Sequence, residues 1–130
     1  MTDTHTDVDR VAIVERAVDA YNAKNWGRYV LFFREDVRYC HHNRGVEFSD
    51  RATFLAAMRV FAGDLAPNRT LGPAVRCVQS GDVVVREQVW SGKAIADFPG
   101  VAGAGEDFRF EICTVFVFDG DLIAEYHEYG

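Results

Sequence analysis

Apolar residues first recur at helical spacing: Val11, Val14, Val18 and Tyr21 fall at i, i+3, i+7 and i+10 between polar neighbours. The spacing predicts an amphipathic helix over 7–24, started by Thr6 or Asp7 as its cap. Asn25 is placed to cap a second, shorter helix in which Trp26, Tyr29, Val30 and Phe33 share a face, ending before Asp36. From Val37 to His42 the period drops to two, with Val37, Tyr39 and His41 alternating against Arg38, Cys40 and His42, the pattern of a strand. Asn43, Arg44 and Gly45 read as a turn into a short extended piece, Val46 to Phe48. Ser49 is the expected cap of a third helix striped by Phe54, Leu55, Met58, Phe61 and Leu65, which Pro67 and Asn68 stop.

The second half changes character. Strand patterns run over 71–79, 83–96, 108–118 and 122–129, with tight turns at Ser80-Gly81-Asp82 and Asp119-Gly120-Asp121. The loop 97–107, rich in glycine, is expected to form a flap or a rim. Three helices followed by four long strands in meander predict an α+β fold, with the helices on one face of a curved, mostly antiparallel sheet. A twisted sheet curled around a long helix leaves a pocket between them, where small ligands usually bind.

At 130 residues the chain has room for one hydrophobic core, and a single domain over 1–130 is expected. Hydrophobic residues at 48% against 26% charged make a packed core affordable. A net charge of −6 lacks the positive field that a phosphate backbone demands, so nucleic acid is not an expected partner. No apolar run reaches the roughly 18 residues of a membrane span, and residues 1–10 carry no signal-peptide core, which leads to the expectation of a cytoplasmic protein with no membrane partner. Cys40, Cys77 and Cys113 are odd in number and far apart, and free thiols are expected.

Cys40, His41 and His42 invite a metal reading. Adjacent strand residues point to opposite faces, so the three cannot converge on one ion; only His41 with His127 and Glu125 would make a two-histidine, one-carboxylate set, and no metal is expected. Without a G-x-G-x-x-G motif after a strand, a P-loop or a G-x-S-x-G elbow, no cofactor is expected either.

Three stretches, Val18 to Trp26 (VDAYNAKNW), Glu35 to Tyr39 (EDVRY) and Val115 to Tyr126 (VFVFDGDLIAEY), resemble the SnoaL-like polyketide cyclases. These belong to the nuclear-transport-factor-two-like superfamily, with ketosteroid isomerase, scytalone dehydratase and limonene epoxide hydrolase. The resemblance implies a cone-shaped curved sheet wrapped around the long N-terminal helix, a ligand cavity inside, and a homodimer. By the same resemblance His41 falls where the isomerase holds its general base. Thr114 takes the position of the second oxyanion acid, and Ala17 lies near that of the helix tyrosine, so a steroid isomerase is not implied. The acid that often ends SnoaL-like tails is matched by Gly130.

Alternation divides the last strand into Ile123, Glu125, His127 and Tyr129 on one side and Leu122, Ala124, Tyr126 and Glu128 on the other. The phase implied by the resemblance turns the first set into the cavity, with Tyr39 and His41, with Arg86, Gln88 and Trp90, and with Phe110, Ile112, Thr114 and Phe116. His41 is then the candidate base, because imidazole titrates near neutrality, and Glu125 with His127 the relay. Glu125 reads equally as a structural carboxylate, paired for instance with Arg86. Tyr39 or Arg86 would hold a developing oxyanion; a strand tyrosine is more often packing, and an outward Arg86 would be only a surface charge. Tyr21, Gln88, Trp90, Phe110, Thr114 and Tyr129 are the expected ligand-contacting residues.

The expected function is a cofactor-independent acid/base enzyme acting on a small hydrophobic oxygenated molecule, polyketide- or terpenoid-like, by cyclisation, isomerisation, dehydration or epoxide hydrolysis. The alternative is a non-catalytic ligand-binding or dimerisation module of the same fold. Leu122, Ala124, Tyr126 and Glu111 form the outer face expected to carry a dimer.

Overall fold

The computed structural model of the chain describes residues 8–130. Helix α1 (Arg10–Asn22) opens at Asp9, whose carboxylate accepts the Ala12 N–H at 3.1 Å. The expected caps Thr6 and Asp7 lie outside the described residues. Ile13, Val14, Ala17, Val18, Ala20 and Tyr21 form the face it buries. Side chains stitch α1 to the sheet: Gln79 bonds the backbone of Arg10 and Val8, each at 2.9 Å, and Asn22 makes a paired bond to the backbone of Leu71.

Asn25 caps α2 (Trp26–Tyr29) through the Arg28 N–H at 3.2 Å. The helix is shorter than the spacing predicts. It tightens into a turn at Val30–Phe32, and strand β1 (Phe33–His41) begins where the helix was expected to continue. Phe33 goes into the core against Tyr29 and Phe54, at ring separations of 4.9 and 5.1 Å, so tertiary packing overrides the local helical pattern.

Strand β2 (Val46–Phe48) folds back on β1, and α3 (Arg51–Val60) follows. Its cap is Asp50 rather than the expected Ser49: the Asp50 carboxylate accepts the Thr53 N–H at 2.8 Å and the Thr53 hydroxyl at 2.9 Å. One wide turn over Phe61–Leu65 ends the helix before Pro67.

The expected strand 71–79 is two strands, β3 (Thr70–Leu71) and β4 (Arg76–Ser80). Pro73 between them has no N–H to give a ladder. Then come β5 (Val83–Lys93), β6 (Asp107–Asp119) and β7 (Leu122–Tyr129); Gly81 in the β4–β5 turn and Gly120 in the β6–β7 turn take the left-handed conformation. The sheet order is β2-β1-β7-β6-β5-β3, with β4 also on β5. All pairs are antiparallel except β1 with β7. The α+β architecture, three helices and a large, mostly antiparallel sheet most of whose strands follow them, is as the patterning predicts.

A bulge in β7 decides what faces the core. Val117 pairs with Glu125 but Phe118 with Ile123, so one extra residue, Ala124, interrupts the ladder. Ile123 and Tyr126, three apart, are both buried. Beyond the bulge the phase is the reverse of that expected: Tyr126 and Glu128 turn inward, while Glu125, His127 and Tyr129 turn outward. Tyr126 therefore does not belong to the outer face.

All three cysteines are free and half-buried. Among the described residues no helix is long and apolar enough to cross a membrane.

Candidate active site

The cone closes around a small cavity at the end of the sheet where β1, β7, β6 and β5 meet α3. Tyr39 and His41 enter it from β1, Tyr126 and Glu128 from β7, Trp90 from β5 and Ile112 from β6; Tyr21, Met58, Phe61 and Leu71 complete an apolar wall, and Arg44 reaches in from the β1–β2 turn. The space is about 20 Å³, enough for a water. A second chamber of similar size shares His41, Arg44, Trp90 and Ile112 with the first, and adds Phe110, Gly100, Val101 and Gly130. The loop expected as a flap or rim thus lines the outer chamber.

Glu128 is the polar centre. His41 is its neighbour in the parallel β1–β7 register, so the two side chains stand next to each other on the inner face. Part of Glu128 reaches solvent, while its carboxyl is packed among protein atoms. The Tyr39 hydroxyl donates to one carboxyl oxygen and the Tyr126 hydroxyl to the other, the latter at 3.4 Å. Burial pushes the carboxyl above its usual range; the Tyr39 hydrogen bond, the Arg44 cation and the Tyr126 hydrogen bond only partly oppose it. Burial, and then the charge of Glu128, also raises the Tyr39 hydroxyl well above its usual value; for Tyr126 the same two causes act in the same order. Both phenols stay protonated and donate.

His41 is 3% exposed, and its Nδ1 has no hydrogen-bond partner. Burial, with the Arg44 cation second, pushes its pKa down to about 4. At neutral pH it is an uncharged imidazole with a free nitrogen.

The other expected residues are distributed differently. Tyr21 accepts the Trp90 indole N–H at 3.1 Å, and burial holds its pKa up at about 12. Arg86 is inward and buried but is taken up by structure: it makes a bidentate pair with Glu15 at 2.8 and 3.1 Å, and donates to Gln88 and to the Gly72 carbonyl. Gln88 in turn donates to Thr114 and to the Ile112 carbonyl. This network lies away from both chambers, so Arg86, Gln88 and Thr114 are not brought to Glu128. Phe110 reaches only the outer chamber.

Glu125, His127 and Tyr129 sit on the opposite face of the sheet. There Glu125 bonds His127 at 2.8 Å, His127 bonds His42 at 2.9 Å, and His42 stacks on Tyr129 at 4.4 Å. The sheet separates them from His41, which dissolves the two-histidine, one-carboxylate set. Among the described residues no group of three or more potential ligands is placed to hold a metal ion.

Sequence reasoning passed over Glu128, Tyr126 and Arg44. The signal for the first two is the pair Ile123 and Tyr126: two large apolar residues three apart cannot share a face of a regular strand, and burying both requires a bulge.

A model of the SnoaL-like domain matches residues 14–126. The chain belongs to the SnoaL-like domain family. Among solved structures, it is similar to a proposed polyketide cyclase of Xanthomonas campestris pv. campestris, with a TM-score of 0.81 at 22% identity over 93% of this chain and 90% of that one. A proposed polyketide cyclase of Pseudomonas putida gives a TM-score of 0.83 at 21% identity, over 95% and 92% of the two chains. An LEH-like epoxide hydrolase of M. tuberculosis gives 0.71 at 15%, over 92% and 80%. At these identities the likeness is one of fold. A search of curated proteins returns no match. Gly130, which the resemblance matches to the tail acid, has a backbone in which a Cβ would run into the Glu111 carbonyl oxygen, so no side chain fits there. The acid at the cavity is Glu128, two residues earlier.

Proposed function

We propose that this SnoaL-like domain is an acid/base enzyme acting on a small hydrophobic oxygenated molecule, with Glu128 as the proton carrier. The observation that carries the reading is the Glu128 carboxyl, shifted towards neutrality by burial and held between two tyrosine hydroxyls at an apolar cavity. The expected base, His41, takes a different part. With its pKa pushed to about 4 it is a weak base, and as a neutral N–H donor beside Glu128 it is suited to hold the oxygen of an enolate. In its carboxylate form Glu128 removes a proton next to a carbonyl while the oxygen gathers charge against His41, and then returns the proton to a different atom. Cyclisation, isomerisation and dehydration share that step.

A second reading, a non-catalytic module, is favoured by the cavity's size, since ligand pockets are typically of roughly 300–1,000 Å³. Entry of a ligand then depends on displacing wall side chains, of which Met58 is the flexible apolar member. Exchange of the α-protons of 2-tetralone for deuterium, followed by NMR, separates the two. An enzyme accelerates the exchange, and Glu128→Gln lowers the acceleration by about a hundredfold or more. No acceleration, or an unchanged rate in the variant, contradicts the acid/base reading.

For the assembly, a second copy is proposed to cover the outer face, where Val85, Val89, Val115 and Val117 are only half-buried and Val78 is 58% exposed. Sedimentation tests this against the chain mass of 14.6 kDa: a dimer sediments at twice it, and a monomer at micromolar concentration contradicts the pairing.

A further inference from the structure

Arg44 is a charged side chain at the cavity that the reaction above leaves unused. It is half-buried, and its guanidinium lies 5.6–5.9 Å from the ring centres of Phe61, Trp90 and Phe98. Its Nε is buried without a hydrogen-bond partner. Among the described residues no carboxylate approaches within 4.0 Å of it, whereas Arg34, Arg38, Arg51, Arg76 and Arg86 each have one.

An arginine set among aromatic rings loses part of its hydration, and attraction to the ring faces offsets that loss less fully than a paired anion would. Glu128 influences Arg44 through space but does not pair with it, since among the described residues no carboxylate oxygen lies within 4.0 Å of its guanidinium. The backbone makes room for the side chain instead. Gly100 has φ +78°, and a Cβ there would lie 3.4 Å from the Arg44 Cδ. Beside Arg44 in the same outer chamber stands the unpartnered Nδ1 of His41, on a side chain 3% exposed. Two side chains that each carry a buried nitrogen without a partner thus line a space walled by Trp90, Phe110, Val101 and Ile112.

We propose that the ligand is a small hydrophobic carboxylate, its apolar body among the aromatic residues and its carboxylate held by Arg44 in the outer chamber. The inference rests on the acid/base reading of the inner chamber and names the substrate class for it. Arg44 fixes one end of the molecule, and the carbon to be deprotonated extends past His41 to Glu128. A guanidinium recognises a planar carboxylate through paired hydrogen bonds, which a neutral amide of the same shape cannot return in full. His41 lies at the junction of the two chambers, where it can meet either the carboxylate or the reacting oxygen.

The test is binding, which needs no turnover. Benzoate and benzamide are titrated into isotope-labelled protein, following the Trp90 indole N–H and the Gly100 amide by NMR. Benzoate is expected to move both signals and to bind about tenfold or more tightly than benzamide. Arg44→Gln removes the preference; Arg44→Lys, which keeps a cation without the fork, retains part of it. Circular dichroism and the melting temperature establish that each variant is folded. Equal binding of the two probes, a preference that survives in Arg44→Gln, signals that move elsewhere in the protein, or no binding of benzoate at millimolar concentration each overturn the proposal. Because 2-tetralone carries no carboxylate, exchange can succeed while benzoate preference fails, or the reverse.

Discussion

The hydroxyl of Tyr39 donates to the carboxyl of Glu128 across the parallel pairing of β1 and β7. The contact joins residues 89 positions apart in the chain, across a parallel pair of strands. It ties the first strand to the last and holds an acid at the end of an apolar cone. A carboxyl in that setting keeps its proton to higher pH than an exposed one.

Removing the hydroxyl probes the pairing directly. The Tyr39 hydrogen bond opposes the upward shift of Glu128, so Tyr39→Phe raises the carboxyl further. The acid limb of the 2-tetralone pH–rate profile should therefore move to higher pH. Urea denaturation should show a loss of about 1 kcal/mol. A limb that stays in place or moves down contradicts the pairing.

The pH dependence of stability has a worked sign for each cavity group. His41 has a folded pKa of about 4 against an ordinary 6.5, so between these values the unfolded chain takes up a proton that the native state refuses. Its contribution is whole above about pH 6.5 and is lost as pH falls towards 4, by up to about 3 kcal/mol. Glu128, raised instead of lowered, acts in the opposite sense: stability falls as pH rises from the ordinary carboxylate value through the folded one. Denaturant titrations at pH 7 and pH 4.5 should therefore find His41→Gln gaining on the wild type at the lower pH. A difference that does not change with pH counts against a buried neutral imidazole.

Arg86 belongs to the framework. Its bidentate partner Glu15 is on α1, so the pair clamps the helix to β5. Glu15→Ala leaves a buried guanidinium short of its anion and is expected to cost about 3 kcal/mol by urea denaturation. Benzoate binding, read at Trp90, should persist below the melting temperature. Loss of binding in a folded Glu15→Ala variant would place the pair in the site after all.

Outer-face substitutions should be mild. Glu125→Ala and His127→Ala break contacts on the far side of the sheet from Glu128, and each is expected to cost less than about 1 kcal/mol. Exchange of 2-tetralone protons should continue at the wild-type rate in both. A drop comparable to that of Glu128→Gln would show that the inward and outward sets have been assigned to the wrong faces.

The order of elements was legible in the hydrophobic pattern because most of the chain keeps one period at a time. Alternation on β1 and β5 correctly groups Tyr39 with His41, and Arg86 with Gln88 and Trp90. Four details were not legible, each for a local reason. The run Tyr29 to Phe33 fits a helical stripe, yet Phe33 is needed extended in the aromatic core. Pro73 splits what reads as one strand. Ala124 is a small residue with no turn chemistry, so nothing but the Ile123 and Tyr126 spacing marks the bulge, and that single insertion exchanges Glu125 and His127 for Tyr126 and Glu128 at the cavity. Arg44 sits in a turn, where an arginine is ordinarily a surface charge; only the fold brings Phe61, Trp90 and Phe98 around it.

The most direct measurement is the titration of the Glu128 side-chain carboxyl carbon by NMR in labelled protein, assigned by comparison with Glu128→Gln. The account predicts a midpoint clearly above the ordinary glutamate value, falling when bound benzoate is absent and rising when it is present, because a second anion nearby disfavours ionisation. A carboxyl that titrates at or below the ordinary value would contradict it, and Glu128 would then be a paired or exposed carboxylate with no claim to carry the proton.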